Sequence, residues 1–399
     1  MVIRKAYKYR LKTNMCTEQM LSQFAGSCRF VWNKALALQK DRLDRKESCL
    51  SYNELSALLL RWKGDPETSF LRAAHSQILQ QSLMFLDRSL KDAFNKKSPK
   101  RFPKFKKKGV YDSFRFPQGF KLNGNVLYLP KIGWIPFHKS REIDGTIKNI
   151  TVSRKGGHWF ISIQTEMEVG KPVHCSISTI GIDMGVKRFT TLSDGTYYEP
   201  LNSFKSLQGK LAHEQRNLSR KVKGSCNWRK QKRVLTRLHI RIADARNDYL
   251  HKTSTAISKN HAVVIMEDLK VANMSASAKG TVEKPGRHVR SKAGLNRAIL
   301  DQGWHEFKRM LQYKQLWRGG TVITVPPQNT SRTCPHCGHV SPDNRKRQEL
   351  FRCVTCGYSG NADYVAAQNI LAAGHAVSAC GEMAQQGHSV KQEPAMKAA

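Results

Sequence analysis

At 399 residues the chain has room for roughly two to four domains with cores of their own. Lys and Arg number 68 against 30 Asp and Glu, a formal net charge of +38 that asks for a polyanionic partner. The cations are spread along the whole chain, no apolar run reaches membrane-span length, and the N-terminus lacks a signal-peptide core. Those features exclude a membrane and leave nucleic acid, in a cytoplasmic setting.

Residues 1–10 alternate apolar and basic side chains and read as a strand. From Thr17, a suitable N-cap, Leu21, Phe24, Cys28, Val31, Ala35 and Leu38 recur at helical spacing. Leu79, Leu83, Leu86, Leu90 and Phe94 mark another helix, and Tyr52 stands near the start of one between them, so residues 15 to about 95 form a helical unit. In the segment from Lys96 to Lys108, prolines and phenylalanines interleave with the cations. A solvated linker has no use for the aromatics; an extended strand that neutralises phosphates and stacks on bases does.

From Phe114 to Glu168 short β-pieces follow, among them 125–129, 133–137, 148–152 and 158–163. They predict a small barrel completed by the N-terminal strand, with the helical unit inserted into it. From Ser176 onward strands and helices alternate. Strands are expected at 178–183 and 188–192, and Asp194-Gly195 turns the chain into 196–198. Two long basic amphipathic helices over about 202–223 and 227–258, broken at Gly224-Ser225, predict an antiparallel hairpin. The strand 262–266 ends in Glu267. Residues 274–295 show no apolar period and read as a mobile loop. A helix over about 301–317 leads to a strand at 321–325, and a last helix runs from Asp363 to Ala373 before a small, polar tail read as disordered.

Between that strand and that helix lie Cys334-Pro-His-Cys337 and Cys353-Val-Thr-Cys356, two Cys-x-x-Cys pairs fifteen residues apart, each followed by glycine. Four thiolates from two tight turns satisfy tetrahedral Zn²⁺, and Gly338 and Gly357 let the backbone turn around the sulfurs. His336 falls on the surface of the first turn. The six other cysteines (16, 28, 49, 175, 226 and 380) follow no pattern, which fits a reducing compartment; Cys28 falls on an apolar helical face as core.

Three carboxylates stand out. Asp183 lies inside an apolar strand between Gly181 and Gly185, where an acid is costly unless paired or metal-bound. Glu267 closes a buried-looking strand, and Asp363 opens a helix. Asp363 also suits a plain N-cap, and Glu267 with its neighbour Asp268 suits a structural ion pair. Jointly they suit an RNase H-like sheet that gathers carboxylates around two Mg²⁺ or Mn²⁺ ions, hard cations that prefer oxygen. On the helical unit, Ser76, Gln77 and Gln80 lie near one side of a helix. Glutamine can bond adenine bidentately, and Tyr52 can stack or meet a backbone.

The motifs Gly181-Ile-Asp-Met-Gly185, Met266-Glu-Asp-Leu-Lys270, Asn329-Thr-Ser-Arg-Thr-Cys-Pro-His-Cys-Gly338 and Asn361-Ala-Asp-Tyr-Val-Ala-Ala-Gln-Asn-Ile370 resemble those of the TnpB family. These are RNA-guided nucleases of insertion sequences, related to type V CRISPR effectors. The N-terminal Tyr-Lys-Tyr-Arg-Leu, the stretch Gly303-Trp304 to Tyr313-Lys314 and Lys391-Gln-Glu-Pro394 extend the likeness over essentially the whole chain. Val365 departs from it, since the family commonly has Asn there.

The resemblance implies a wedge β-barrel (1–14 and 115–175) and a helical recognition lobe with the basic segment (15–114). It implies a RuvC-like core (176–330 and 358–373) with an inserted zinc ribbon (331–357), then the tail 374–399. It makes Asp183, Glu267 and Asp363 the metal-binding trio of a DNA endonuclease that cuts both strands. The partners it implies are a guide RNA from the element's own end and target duplex DNA beside a short flanking motif, faced by positions like Tyr52, Ser76, Gln77 and Gln80. A cleavage-silent RNA-guided regulator and a DNA transposase are the rival readings; the presence of all three acids favours cleavage.

Overall fold

The computed structural model describes residues 1–110 and 112–387, which divide into two units, Met1–Gly170 and Lys171 onward. No helix among the described residues is long and apolar enough to cross a membrane.

The first unit joins β1 (Val2–Arg10) to three helices, α1 (Met15–Asp44), α2 (Tyr52–Gly64) and α3 (Ser76–Phe94). Six further strands follow: β2 (Ser113–Phe116), β3 (Lys121–Asn123), β4 (Val126–Leu129), β5 (Gly133–Pro136), β6 (Thr146–Lys155) and β7 (His158–Glu168). Along β1 the period of two buries Ile3, Tyr7 and Tyr9, leaves Lys5 half-buried on that same face, and turns Arg4, Lys8 and Arg10 outward. The cap of α1 is Asn14, whose side chain accepts from the Thr17 amide, so the helix starts before the expected cap at Thr17. Ser51 and Glu54 form a capping box that starts α2 at Tyr52. Along α3, Leu79, Leu83, Leu86 and Leu90 are buried as their spacing requires.

The N-terminal strand does pair with the later β-pieces, but among the described residues the strands do not close into one barrel. Hydrogen bonding gives a sheet in the order β1-β7-β6-β2 and a separate sheet β3-β4-β5. A single bridge, Leu11 to Phe137, joins them. The strands β3, β4 and β5 span three or four residues each.

The basic segment is laid along α1 and is no free linker. The Trp32 indole donates to the Lys104 carbonyl (3.2 Å), the Asn33 amide exchanges two hydrogen bonds with the Lys106 backbone (3.0 and 2.8 Å), and the Lys106 ammonium sits 3.8 Å from the Trp32 ring centre. Lys100, Arg101, Lys104, Lys107 and Lys108 remain exposed.

The second unit is a three-layer arrangement. Its strands are β8 (Thr179–Met184), β9 (Thr190–Leu192), β10 (Tyr197–Tyr198), β11 (Val263–Glu267) and β12 (Thr321–Val325), in the order β10-β9-β8-β11-β12. The β8–β11 and β11–β12 pairings are parallel and the hairpin β8-β9-β10 is antiparallel. Between β10 and β11 come α4 (Ser203–Ser219) and α5 (Cys226–Asn260), the expected hairpin. After β11 come α6 (Val271–Met274), α7 (Val289–Gln302) and α8 (Trp304–Arg318). The ribbon strands β13 (Leu350–Arg352) and β14 (Ser359–Asn361) precede α9 (Ala362–Gly387).

One face of the sheet packs Ile180, Ile182, Val264 and Met266 against Leu250 and Ile257 of α5 and Phe307, Met310 and Leu311 of α8. The other face is crossed by α9. It passes so close that a Cβ on Gly181 would stand 2.3 Å from the Ala367 carbonyl oxygen, and one on Gly374 would meet the Ile265 side chain. Two expectations fail here. The stretch 274–295 is not loop throughout, because α7 begins at Val289, where Leu295 and Ile299 resume an apolar spacing. The last helix does not stop at Ala373; its small, alanine-rich residues keep helical backbone to Gly387. The rest of the tail, with Lys391–Pro394, lies outside the described residues.

Candidate metal centres and carboxylate site

The four ribbon cysteines converge as their spacing predicts. Their sulfurs all lie within 4.8 Å of one another, with Cys334–Cys356 and Cys337–Cys353 each 3.6 Å apart. A tetrahedral ion with metal–sulfur bonds of about 2.3 Å has edges of about 3.8 Å, so this donor set fits one Zn²⁺ without rearrangement. Each turn closes through its glycine, in left-handed backbone at φ 72° and 74°, whose amide donates to the carbonyl of Cys334 or Cys353. The Cys356 amide faces the Cys353 sulfur at 3.5 Å and helps lower that thiol's pKa to about 6. Asn344, only 1% exposed, ties the two halves together by donating to the Arg332 and His339 carbonyls and accepting from the Val354 amide. His336 is exposed and stacks parallel to Tyr358. The four ribbon cysteines and Cys16, Cys28, Cys49, Cys175 and Cys226 form no disulfide, and Cys28 is core, its thiol pushed up to about 12 by burial.

The three acids come from three elements and meet at one edge of the large sheet. Register pairs Ile265 with Gly181, so two residues on Glu267 and Asp183 stand side by side at the ends of β11 and β8. Both point to the face crossed by α9, as Gly181 and Ile265 do. Asp363 lies four residues, one helical turn, before Ala367, the residue over Gly181. Burial first, then the negative charges of Glu267 and Asp363, push the Asp183 carboxyl up to about 7. Burial likewise raises Glu267, which is 8% exposed, against a lowering by the Thr330 hydroxyl that donates to it at 2.6 Å.

The competing roles of these acids separate cleanly. The α9 cap is Asn361, whose side chain accepts from the Asp363 and Tyr364 amides, leaving the Asp363 carboxylate to the site. Asp268, not Glu267, makes the ion pair, with Lys308 at 2.6 Å. A cleft of about 360 Å³ opens beside Glu267, lined also by Met184, Trp304, His305 and Lys308.

The structure adds residues that motif reading missed. Arg345, from the short helical turn Pro342–Arg345 of the ribbon, donates to Asp363 at 3.0 Å and lowers the pKa of both Asp183 and Glu267. Nothing in its Arg-Lys-Arg surroundings marks it out. Thr330 and Asn369 share a second device: the Asn369 amide donates to the Thr330 and Thr333 carbonyls, holding the chain that enters the ribbon against α9. Val365, the departure from the family pattern, is fully buried against Cys334, Phe351 and Cys353, where Asn would need polar partners.

In the first unit, Ser76, Gln77 and Gln80 fall together on the first turns of α3, where Lys63 donates to the Ser76 hydroxyl at 2.7 Å. Tyr52 packs partly into the core at the opposite end of α2, about 16 Å along the axis from Lys63.

Comparison with known sequences matches residues 162–278 to the OrfB_IS605 family ("Probable transposase"), 304–370 to the Cas12f1-like TNB domain and 1–48 to the OrfB_IS605 helix-turn-helix domain. The chain is 54% identical to "Putative RNA-guided DNA endonuclease InsQ" of Escherichia coli (strain K12), over 98% of this chain and 97% of that protein. A "Putative RNA-guided DNA endonuclease" of Streptomyces pristinaespiralis is 33% identical over 98% and 96%. The fold is shared with Cas12f1 in a cryo-EM structure of a Cas12f1-sgRNA-target DNA complex, at a TM-score of 0.53 and 16% identity, covering 93% of this chain and 99% of that one. With these family matches along it and 54% identity to a relative over 98% of its length, the chain belongs to the TnpB family.

Proposed function

We propose that the protein is an RNA-guided DNA endonuclease of an insertion sequence, which cuts double-stranded DNA beside a short flanking motif. In this reading the five-stranded sheet and its helices are a RuvC-like, RNase H-type core, and the ribbon is a zinc site that positions Arg345 and Asp363. The two sheets of the first unit are the wedge, and α1 to α3 with the basic segment the recognition lobe. Ser76, Gln77 and Gln80, with Tyr52, are its candidates for reading the flanking motif.

The observation that carries the reading is the convergence of Asp183, Glu267 and Asp363, where burial first and then the charges of the other two acids lift Asp183 to about 7. A buried carboxylate beside two other acids is disfavoured in its ionised form, and a cation bound among them would relieve that cost. They would hold Mg²⁺ or Mn²⁺, which when bound lowers the pKa of an attacking water and neutralises the leaving oxygen. The chain's own groups do the rest. The Thr330 hydroxyl fixes one oxygen of Glu267, Asn361 keeps Asp363 free of capping, and the cations lining the cleft draw in a phosphate strand.

The test is to co-express the protein with its flanking element, sequence the RNA that purifies with it, and assay guide-programmed cleavage by wild type and Asp183→Ala. Double-strand breaks from wild type alone support the reading. A wild-type complex that binds its guided target and never cuts it defeats the nuclease reading and leaves an RNA-guided regulator.

A further inference from the structure

The cleft of about 360 Å³ beside Glu267 contains a donor that the fold leaves without a partner. Gly303, in left-handed backbone at φ 72°, turns α7 into α8 hard against α5; a Cβ there would stand 3.2 Å from the Leu250 side chain. The turn puts Trp304 at the first position of α8, where it is 3% exposed and lines the cleft. Its indole Nε1 is buried and has no hydrogen-bond partner among the described residues. A buried donor left unpaired is costly, and a ligand that accepts from it removes that cost. Lys308 and Gln312 follow Trp304 at intervals of four and share its side of the helix. Gln312 is exposed, lines the same cleft, and makes no side-chain hydrogen bond among the described residues.

The chemistry of the walls selects the ligand. The Lys308 ammonium is held by Asp268 at 2.6 Å, and the Arg309 guanidinium forks onto both oxygens of Glu306 at 2.8 and 2.5 Å. These cations draw a polyanion toward the edge of the sheet, but paired as they are they leave little charge to fix a phosphate inside the cleft. What the walls offer there is apolar surface from Met184, Leu269 and Val271, with the indole N–H and the Gln312 amide as hydrogen-bonding groups. A nucleobase has the matching form, apolar on its faces and polar along an edge that an amide side chain can bond bidentately. The volume lies in the range of about 300–1,000 Å³ that small-molecule sites occupy, which suits a single base.

The cleft and the acids share a wall. Asp183 faces α9, so the next residue of β8, Met184, faces the other way and lines the cleft on the α8 side, and Glu267 belongs to both. We propose that the cleft of Trp304 and Gln312 seats the base of a nucleotide next to the DNA bond that is cut, with the indole N–H donating to that base and the Gln312 amide reading its edge. A nucleotide whose phosphate lies at the acids then has its base held across the ends of β8 and β11. The inference deepens the RNA-guided endonuclease reading above and rests on it.

The test uses the full chain with its guide RNA, as wild type, Trp304→Phe and Gln312→Ala. Cut positions are mapped with wild type. Single-turnover cleavage is then timed on targets in which the nucleotides flanking each cut are replaced, one at a time, by an abasic nucleotide, and target binding is measured alongside. Expected for Trp304→Phe on the intact target is cleavage about 5- to 10-fold slower, with target affinity within about twofold of wild type. At one abasic position wild type should slow by a similar factor and the variant should add nothing further, because the partner of the indole is already gone. Gln312→Ala, a change at an exposed side chain, should depend on the same position, and it decides the matter should the first variant fail to fold. Wild-type rates in both variants on the intact target overturn the base pocket. So does a loss of equal factor on every target, which would make Trp304 a support of the fold alone. A wild-type complex that binds its guided target and never cuts it overturns the endonuclease reading itself, and the base pocket with it.

Discussion

The four sulfurs and the three carboxylates of the second unit are neighbouring clusters built on opposite principles. The four sulfurs come from a stretch of 23 residues (334–356), and each pair is shaped by one turn with a glycine at positive φ. The three carboxylates come from a stretch of 181 residues (183–363), and no turn or motif joins them. Strand register places Glu267 beside Asp183, and the crossing of α9 over Gly181 brings Asp363. The sulfur site is local and needs little from the rest of the fold. The carboxylate site is the rest of the fold. The clusters are nonetheless coupled: Arg345, which the ribbon delivers, reaches Asp363, and Thr330 at the ribbon's entry reaches Glu267.

That contrast yields predictions that run from large effects to small. Asp183→Ala removes the central acid of the carboxylate site; guide-programmed cleavage should fall about 10³-fold or more, while target binding by the same complex stays within about twofold of wild type. A parallel loss of binding would mean that the acid supports the fold and not the chemistry. Cys337→Ser with Cys356→Ser tests the coupling from the other side. Metal analysis should drop from one zinc per chain to none, and cleavage should fall about 10- to 100-fold, as expected when outer partners of a metal site are lost. Retained cleavage in a zinc-free protein would uncouple the ribbon from the acids.

Thr330→Val keeps the shape and removes the hydroxyl on Glu267. The concentration of Mg²⁺ or Mn²⁺ needed for half-maximal cleavage should rise about 10-fold, with the zinc content unchanged. An unshifted metal titration would leave the hydroxyl a purely structural role.

The pH dependence gives the smallest effect. The folded pKa of Asp183 is raised to about 7 from an ordinary 3.8, so in metal-free protein the folded state binds the extra proton between those values. The stability from that proton is complete below about pH 4 and is lost as pH rises through about 7. Asp183→Asn, which cannot ionise, should therefore unfold at higher urea than wild type at pH 8 in chelator, by about 2–4 kcal/mol, with the gap closing toward pH 4. A gap that is constant with pH would place the ionised form of Asp183 at no disadvantage in the fold.

Local patterns were legible in the sequence because their physics is local. The Cys-x-x-Cys-Gly turns, the buried stripe of α3, the alternation of β1 and the break at Gly224-Ser225 each follow from residues within a few positions of one another. The acids could be named from their improbable settings. Their meeting was a matter of tertiary structure, as was the choice between roles: Asn361 caps α9 in place of Asp363, and Asp268 takes Lys308 in place of Glu267. Arg345 carries no mark in its own neighbourhood, since only the folding of the ribbon against α9 brings it to Asp363. The start of α7 was hidden by a polar run whose helix is supported elsewhere, through Asp301 held by Arg246 and by the Ser203 hydroxyl. The sequence alone determined the sulfur cluster, the basic surface and the identity of the three acids, because spacing and composition act over short range or over the whole chain. Tertiary structure alone decided which charges meet, because a pairing between β8, β11 and α9 is set by register and helix crossing, and these depend on the packing of every layer at once.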